Sequence, residues 1–231
     1  MLADISQNRE RRLDIRHRAF DRRLALVDHL GRPVELELGA GDGGFMARYA
    51  GAHPELNLIA VERLLGRLRK IDRKARRGGL TNIRCLRLEA SYVLDWMIPA
   101  GSLSAIHLYF PDPWPKRRHW KNRLVNDAFA VSASRALRPG GVFYARTDDA
   151  PYFEQIRAVF DAASARGDVA EVTVPPELLA VTTDFEAAFH AEGKGTLYAA
   201  WRRTDRALPP VERRTGAVLV PEADTGAPLG A

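Results

Sequence analysis

One cysteine, Cys85, is the whole thiol complement of the 231-residue sequence. A lone thiol forms neither an intrachain disulfide nor a cysteine-rich zinc site, so a disulfide scaffold is excluded and a reducing, cytoplasmic setting is expected. Long apolar runs are missing too, because Arg, Glu, Asp or Pro interrupts each one before the roughly 18 residues a membrane helix requires. From Met1 to Arg23 a charge falls every few positions and the apolar centre of a secretory signal is absent. His17, His29, His53 and His190 are too scattered to suggest ligands, and no metal is expected. There is no internal repeat. What remains is the composition of a soluble globular protein, 46% apolar and 28% charged, large enough at 25.7 kDa to bury a core without cross-links.

Acid is also in short supply, with 29 Asp and Glu against 35 Lys and Arg, and the imbalance is local. From Glu62 to Arg77 eight basic residues face two acids; from Lys116 to Arg123 five basic residues and His119 face none. Such runs suit a polyanion. Arginines three and four apart after Glu62 are equally the pattern of a solvated helix face. The Lys116 run is different, since it sits among Pro and Trp in a turn-like stretch rather than on a repeating face.

Hydrophobic periodicity over Val34 to Arg203 alternates short β-rich runs with helical patterns, which predicts an α/β fold: one Rossmann-like domain with a mostly parallel seven-stranded sheet and helices on both faces. Strands are expected at Val34–Gly41, Asn57–Arg63, Ile83–Ala90, Ser104–Phe110, Gly140–Asp148, Val169–Val174 and Thr196–Arg202. Helices are expected at Phe45–Ala52, Leu64–Arg77, Ser91–Met97, Asn122–Leu137 and Tyr152–Arg166. Residues 1–32 read as a basic amphipathic arm, 33–203 as the domain and 204–231 as a flexible tail. Cys85 and His107, each inside a strand, are expected to be packed rather than reactive.

Two segments carry chemistry. Glu37-Leu-Gly39-Ala-Gly41-Asp-Gly43-Gly44 falls where the first strand turns into the first helix, and glycines there let the backbone approach a ligand. Gly39, Gly41 and Gly44 also meet the dinucleotide G-x-G-x-x-G spacing, with Glu62 in the place of the ribose-binding acid, so a nicotinamide enzyme is one reading. Glu37, Glu62 and Glu89, at or near three strand ends, tilt the balance. Three carboxylates oppose a pyrophosphate and suit a ligand with an ammonium, hydroxyl and amine donors and a sulfonium, the description of S-adenosylmethionine. The second segment, Phe110-Pro-Asp112-Pro-Trp114-Pro-Lys116-Arg-Arg118-His119, follows the fourth strand at the sheet's carboxyl edge, where prolines on both sides of Asp112 hold its carboxylate in the cleft.

On these residues the sequence resembles the bacterial tRNA (guanine-N7-)-methyltransferase family, a class I S-adenosylmethionine-dependent group. That family shows an E-x-G-x-G-x-G loop, an F-x-D-P-W-P-K-x-R-H segment, a T-D after the fifth strand and a late T-x-[FY]-E. Here these are Glu37 to Gly43, Phe110 to His119, Thr147-Asp148 and Thr183-Asp184-Phe185-Glu186, followed by Gly193 and Tyr198 to Trp201. Glu89 stands where aspartate is commoner, Ala187 and Ala188 where a basic residue often follows, and Asn122 interrupts the basic run. The resemblance implies that Glu37, Gly39, Gly41, Gly43, Glu62, Glu89, Ala90 and Asp112 hold the cofactor, Asp112 also being catalytic. It further implies that Lys116, Arg118, His119, Arg123, Asp148, Thr183, Asp184, Phe185 and Glu186 meet tRNA, the target being guanine 46 of the variable loop. No membrane and no obligatory protein partner is implied, and monomer and homodimer both fit.

Guanine N7 has a free lone pair and loses no proton on methylation, so no strong base is needed and catalysis is mainly orientation. Asp112 would either stabilise the developing positive charge or accept hydrogen bonds from the base's amide and amino edge. Rival readings are methylation of an exocyclic amine and an RNA-binding module of the same fold without turnover.

Overall fold

A computed structural model describes residues 31–193 and 195–208. The arm and tail expected at 1–32 and 204–231 lie outside that range except for residues 31–32 and 204–208. The strands are β1 (Val34–Leu38), β2 (Asn57–Val61), β3 (Ile83–Leu86), β4 (Leu103–Tyr109), β5 (Leu137–Thr147), β6 (Val169–Val172) and β7 (Leu197–Arg203). They form one seven-stranded sheet in the order β3-β2-β1-β4-β5-β7-β6, in which β7 alone runs opposite to its neighbours. Strand order reverses between β1 and β4, so the carboxyl ends of these two strands open the crevice where such sheets take ligands.

Helices α1 (Gly44–Ala52) and α2 (Leu65–Arg77) cover one face. The other face carries α3 (Ala90–Tyr92, continued as a π-turn over Val93–Met97), α4 (Asp127–Ala136) and α5 (Ala150–Ala165). There Phe143, Phe160 and Trp201 stack with ring centroids 4.4 and 4.7 Å apart, which places Trp201 of the last motif in the core. Among the described residues no helix is long and apolar enough to cross a membrane.

Several boundaries differ from expectation for local reasons. The helix expected from Asn122 starts at Asp127, because Asn126 accepts the Phe129 amide at 3.0 Å as its N-cap; a 3-10 turn, Arg117–Asn122, takes the space before it. Strand β3 stops at Leu86, since Glu89 caps α3. Strand β5 begins at Leu137, passing Pro139-Gly140-Gly141 through a register shift against β4. Two helices were not expected, α6 (Pro176–Leu179) and α7 (Asp184–Ala191). Cys85 is only half-buried rather than buried, because β3 is an edge strand with one neighbour.

Candidate active site

A cleft of about 430 Å³ opens at the strand-order reversal. Its floor is the ends of β1, β2 and β4. Of the residues expected to hold a ligand, Gly39, Glu62, Glu89, Ala90, Asp112 and Arg123 line it; Trp114, Arg63 and Arg67 line it as well.

The glycine loop is built around left-handed backbone. Gly43 has φ +74° as the N-cap of α1, and a Cβ there would lie 2.7 Å from the Ile71 side chain of α2, so any other residue is strained and crowded at once. Gly44 leaves its side-chain space to another group: a Cβ there would come within 2.0 Å of Asp184 Oδ1. Glu62 Oε2 accepts the Gly41 amide at 3.1 Å and Oε1 accepts the Leu64 amide at 2.7 Å, which fixes the carboxylate between loop and helix. The Gly41 N–H, a donor that a pyrophosphate would need, is therefore already engaged, which argues against the dinucleotide reading. Burial alone would raise the Glu89 carboxyl, but hydrogen bonds from Ser91 and from backbone amides including Tyr92 hold it below its usual value.

Glu37 does not line the cleft. It is buried in β1 just below Gly39, and among the described residues its Oε2 has no hydrogen-bond partner. Burial pushes its carboxyl up to about 8; Arg146 opposes the rise, and Asp184 and Glu62 add to it. A buried acid with an unused lone pair is poised to meet a cation.

Asp112 is exposed at the mouth of the cleft, and among the described residues it makes no hydrogen bond or ion pair. Its loop is rigid. Phe110 and Trp114 both take positive φ, 50° and 46°, a conformation that costs a non-glycine residue on the order of 1–3 kcal/mol. The restraint comes partly from Arg123, whose Nε donates to the Pro113 carbonyl at 2.7 Å and whose Nη1 donates to Gln155 at 2.9 Å. Its guanidinium lies over the Trp120 and Tyr152 rings at 4.4 and 4.7 Å. Arg123 is thus buried and engaged inside the fold as a brace between this loop and α5, whereas Lys116, Arg117, Arg118 and Lys121 are exposed and His119 half-buried.

The late motif is divided in the same way. Thr183 and Glu186 are buried and form a reciprocal capping box at the start of α7, with bonds of 3.0 and 2.7 Å. Asp184 and Phe185 stay exposed. Lys74 at 2.7 Å and Arg48 at 3.2 Å grip Asp184; despite some burial, they hold its carboxyl below the usual range. Phe185 stacks on Phe110 at 6.3 Å, which joins α7 to the Asp112 loop. Asp148 is exposed after β5.

The residue not foreseen is Arg146. Fully buried on β5, it donates to the Leu178 and Val181 carbonyls at 2.6 and 2.9 Å, pairs with Glu186 at 2.9 Å and lies 4.3 Å over the Tyr109 ring. Beside it Glu35, His107 and Tyr109 form a buried chain, with His107 Nε2 and Nδ1 at 2.9 and 2.8 Å from the Glu35 carboxylate and the Tyr109 hydroxyl. His107 is packed as expected, but as a hydrogen-bonding partner rather than a hydrophobe.

Residues 31–199 match a family described as putative methyltransferases. A tRNA (guanine-N(7)-)-methyltransferase of Nocardia farcinica is 36% identical over 183 residues, covering 75% of this chain and 68% of the relative. Its counterparts in Sodalis glossinidius and Shewanella piezotolerans are 38% and 40% identical, covering 71% and 74% of this chain and 69% and 73% of theirs. Among solved structures, the antibiotic-resistance methyltransferase Kmr superposes with a TM-score of 0.50 at 22% identity, over 76% of this chain and 88% of that one. The 16S rRNA methyltransferase KamB does so with 0.53 at 18% identity, over 74% and 88%. These two likenesses speak for the fold.

Proposed function

The chain belongs to the tRNA (guanine-N7-)-methyltransferase family, and from that membership we infer that it transfers the methyl group of S-adenosylmethionine to N7 of a guanine in tRNA. We propose guanine 46 of the variable loop as the target. The observation that carries the reading is the meeting at one cleft of Gly39, Glu62 and Glu89 with a rigid Asp112 that has no partner among the described residues.

The residues fit the cofactor. Glu62 and Glu89 offer acceptors to its ribose and amine donors, and Glu37, buried beneath the glycine loop rather than lining the cleft and with an Oε2 unpaired among the described residues, would act on the cofactor's positive charge from below. When bound, the cofactor supplies an activated methyl carbon. The chain's own contribution is placement. Trp114, 37% exposed, and Phe110 offer faces on which an unstacked guanine can rest, and Lys116, Arg117, Arg118 and Lys121 offer cations to the phosphates around it. Thr183, Glu186 and Arg123 act on the RNA indirectly, by fixing the positions of Phe185 and the Asp112 loop. Incubation with labelled S-adenosylmethionine and unmodified tRNA, followed by nucleoside mass spectrometry, is expected to yield 7-methylguanosine. A methyl on an exocyclic amine, or cofactor binding without transfer, would overturn the assignment.

Glu37 makes the cofactor site pH-dependent. With its carboxyl near 8, the group is mostly protonated at neutral pH, and a cationic ligand favours the ionised form. Binding of S-adenosylmethionine below pH 8 is therefore expected to release a proton, and affinity should rise from pH 6 towards pH 8 by up to about tenfold per unit before levelling. Calorimetry in buffers of different ionisation enthalpy measures the release directly. Glu37→Gln should bind more weakly and lose the release; a release that persists in that variant assigns the proton elsewhere.

A further inference from the structure

The cationic run of α2 has no role in the cleft beyond its first turn. Arg63 and Arg67 line the cleft, and the next two cations of that ridge are engaged, Lys70 with Asp42 and Lys74 with Asp184, both at 2.7 Å. A second ridge is formed by Arg69, Arg73 and Arg77. They are spaced i, i+4, i+8, so their Cα atoms lie on one line roughly 12 Å long. All three are exposed, and among the described residues none makes an ion pair. Asp72, the one acid of the helix, is taken by Arg76 at 3.1 Å. Just beyond edge strand β3 the exposed Arg87 donates to the Arg63 carbonyl, which joins this surface to the cleft end of α2.

A merely solvated helix face would relieve these charges with acids at i+4, yet here like charges stand four apart. There is no acid in the first turn, and the N-cap, Leu64, supplies no side-chain hydrogen bond. The helix therefore carries electrostatic repulsion that its own sequence leaves in place. Its apolar face, Leu68, Ile71 and Ala75, is buried against the sheet, so no apolar face is left to enter a lipid surface.

We propose that the Arg69–Arg73–Arg77 ridge is a docking surface for the RNA backbone, holding the helical body of tRNA away from the target base while that base occupies the cleft. The proposal rests on the RNA substrate inferred above. Arginine forks matched to phosphate oxygens supply the recognition, and the continuity through Arg63 and Arg67 gives one RNA molecule a path from ridge to cleft.

The test is the triple variant Arg69→Gln, Arg73→Gln and Arg77→Gln, with tRNA binding read by fluorescence anisotropy and methyl transfer measured in parallel. The dissociation constant and KM for full-length tRNA should rise about 10- to 100-fold at physiological salt with kcat preserved. The slope of log affinity against log salt should become shallower by roughly 3, at about 0.9 for each of three lost contacts to duplex phosphates. A short stem-loop carrying the target guanine should be bound and methylated as by the unsubstituted protein. The thermal midpoint should stay level or rise, since repulsion is removed. Unchanged tRNA affinity and salt slope overturn the ridge, as does an equal loss on the short stem-loop, which would locate the effect in the cleft. Ridge-dependent tRNA binding without methyl transfer by the unsubstituted protein would overturn the proposed activity and leave the ridge standing.

Discussion

Arg146→Met is expected to destabilise the protein by about 3–5 kcal/mol, the range for removing one partner of a buried ion pair. The mechanism is specific. Glu186 is left as a buried anion without its cation, and the Leu178 and Val181 carbonyls each lose a donor. Segment 178–186 is thereby freed from β5, so Phe185 and Asp184 lose their fixed place beside Phe110 and Gly44. Arg146 is also the cation that opposes the rise of the Glu37 carboxyl. Its loss should therefore raise that group further and move the pH range of cofactor binding upward. Urea unfolding followed by circular dichroism measures the first effect and calorimetry against pH the second. The double variant Arg146→Met, Glu186→Gln should regain much of the stability, because the uncompensated charge is gone while an amide oxygen remains to accept the Thr183 amide. A single-variant loss below about 1 kcal/mol, or no recovery in the double variant, would show that the pair does not carry segment 178–186.

The contrast between what was legible in the sequence and what was not follows from range. Strands β1, β2 and β4, the glycine loop and the Pro-Asp-Pro-Trp turn are local patterns of period, backbone permission and ring constraint, and the three strands lie within a few residues of where those patterns place them. Arg146 and the Glu35–His107 contact depend on which strands become neighbours. Glu35 and His107 are 72 positions apart and meet because β1 and β4 pair in parallel, a fact of topology that neither residue announces. Helix α7 is a middle case. Thr183-x-x-Glu186 is a capping-box spacing, a sufficient local signal for a helix start within the same motif that the family resemblance assigns to tRNA. Arg123 differs from the other four cations of its run for a reason that charge does not carry: it is drawn inward by the Trp120 and Tyr152 faces and the Pro113 carbonyl.

Asp112→Ala is expected to lower kcat by about 10²- to 10³-fold, the scale for losing one fixed electrostatic group at a reaction centre, with S-adenosylmethionine affinity nearly unchanged. The geometry supports a role in turnover more than in cofactor retention. Glu62 and Glu89 stand on the opposite side of the cleft's glycine loop and are fixed by the Gly41, Leu64 and Tyr92 amides, independently of Asp112. Asp112 itself has no internal partner among the described residues, so its charge is not spent, while the strained Phe110 and Trp114 on either side keep it from relaxing away. Methylation at N7 places a positive charge on the guanine ring, and a carboxylate already fixed nearby stabilises that charge without reorganising. Asp112→Asn keeps the shape and one acceptor oxygen, removes the charge and turns the second acceptor into an amide donor, so it tests the charge together with acceptance by both oxygens. Its turnover should fall nearly as far as that of the alanine variant in single-turnover assays at saturating tRNA. An asparagine variant that kept most of its turnover would show that neither the charge nor acceptance by both oxygens drives the step, and would leave Asp112 a single orienting hydrogen bond to the base. Loss of cofactor affinity in step with turnover would remove it from the reaction centre and make it part of the cofactor site.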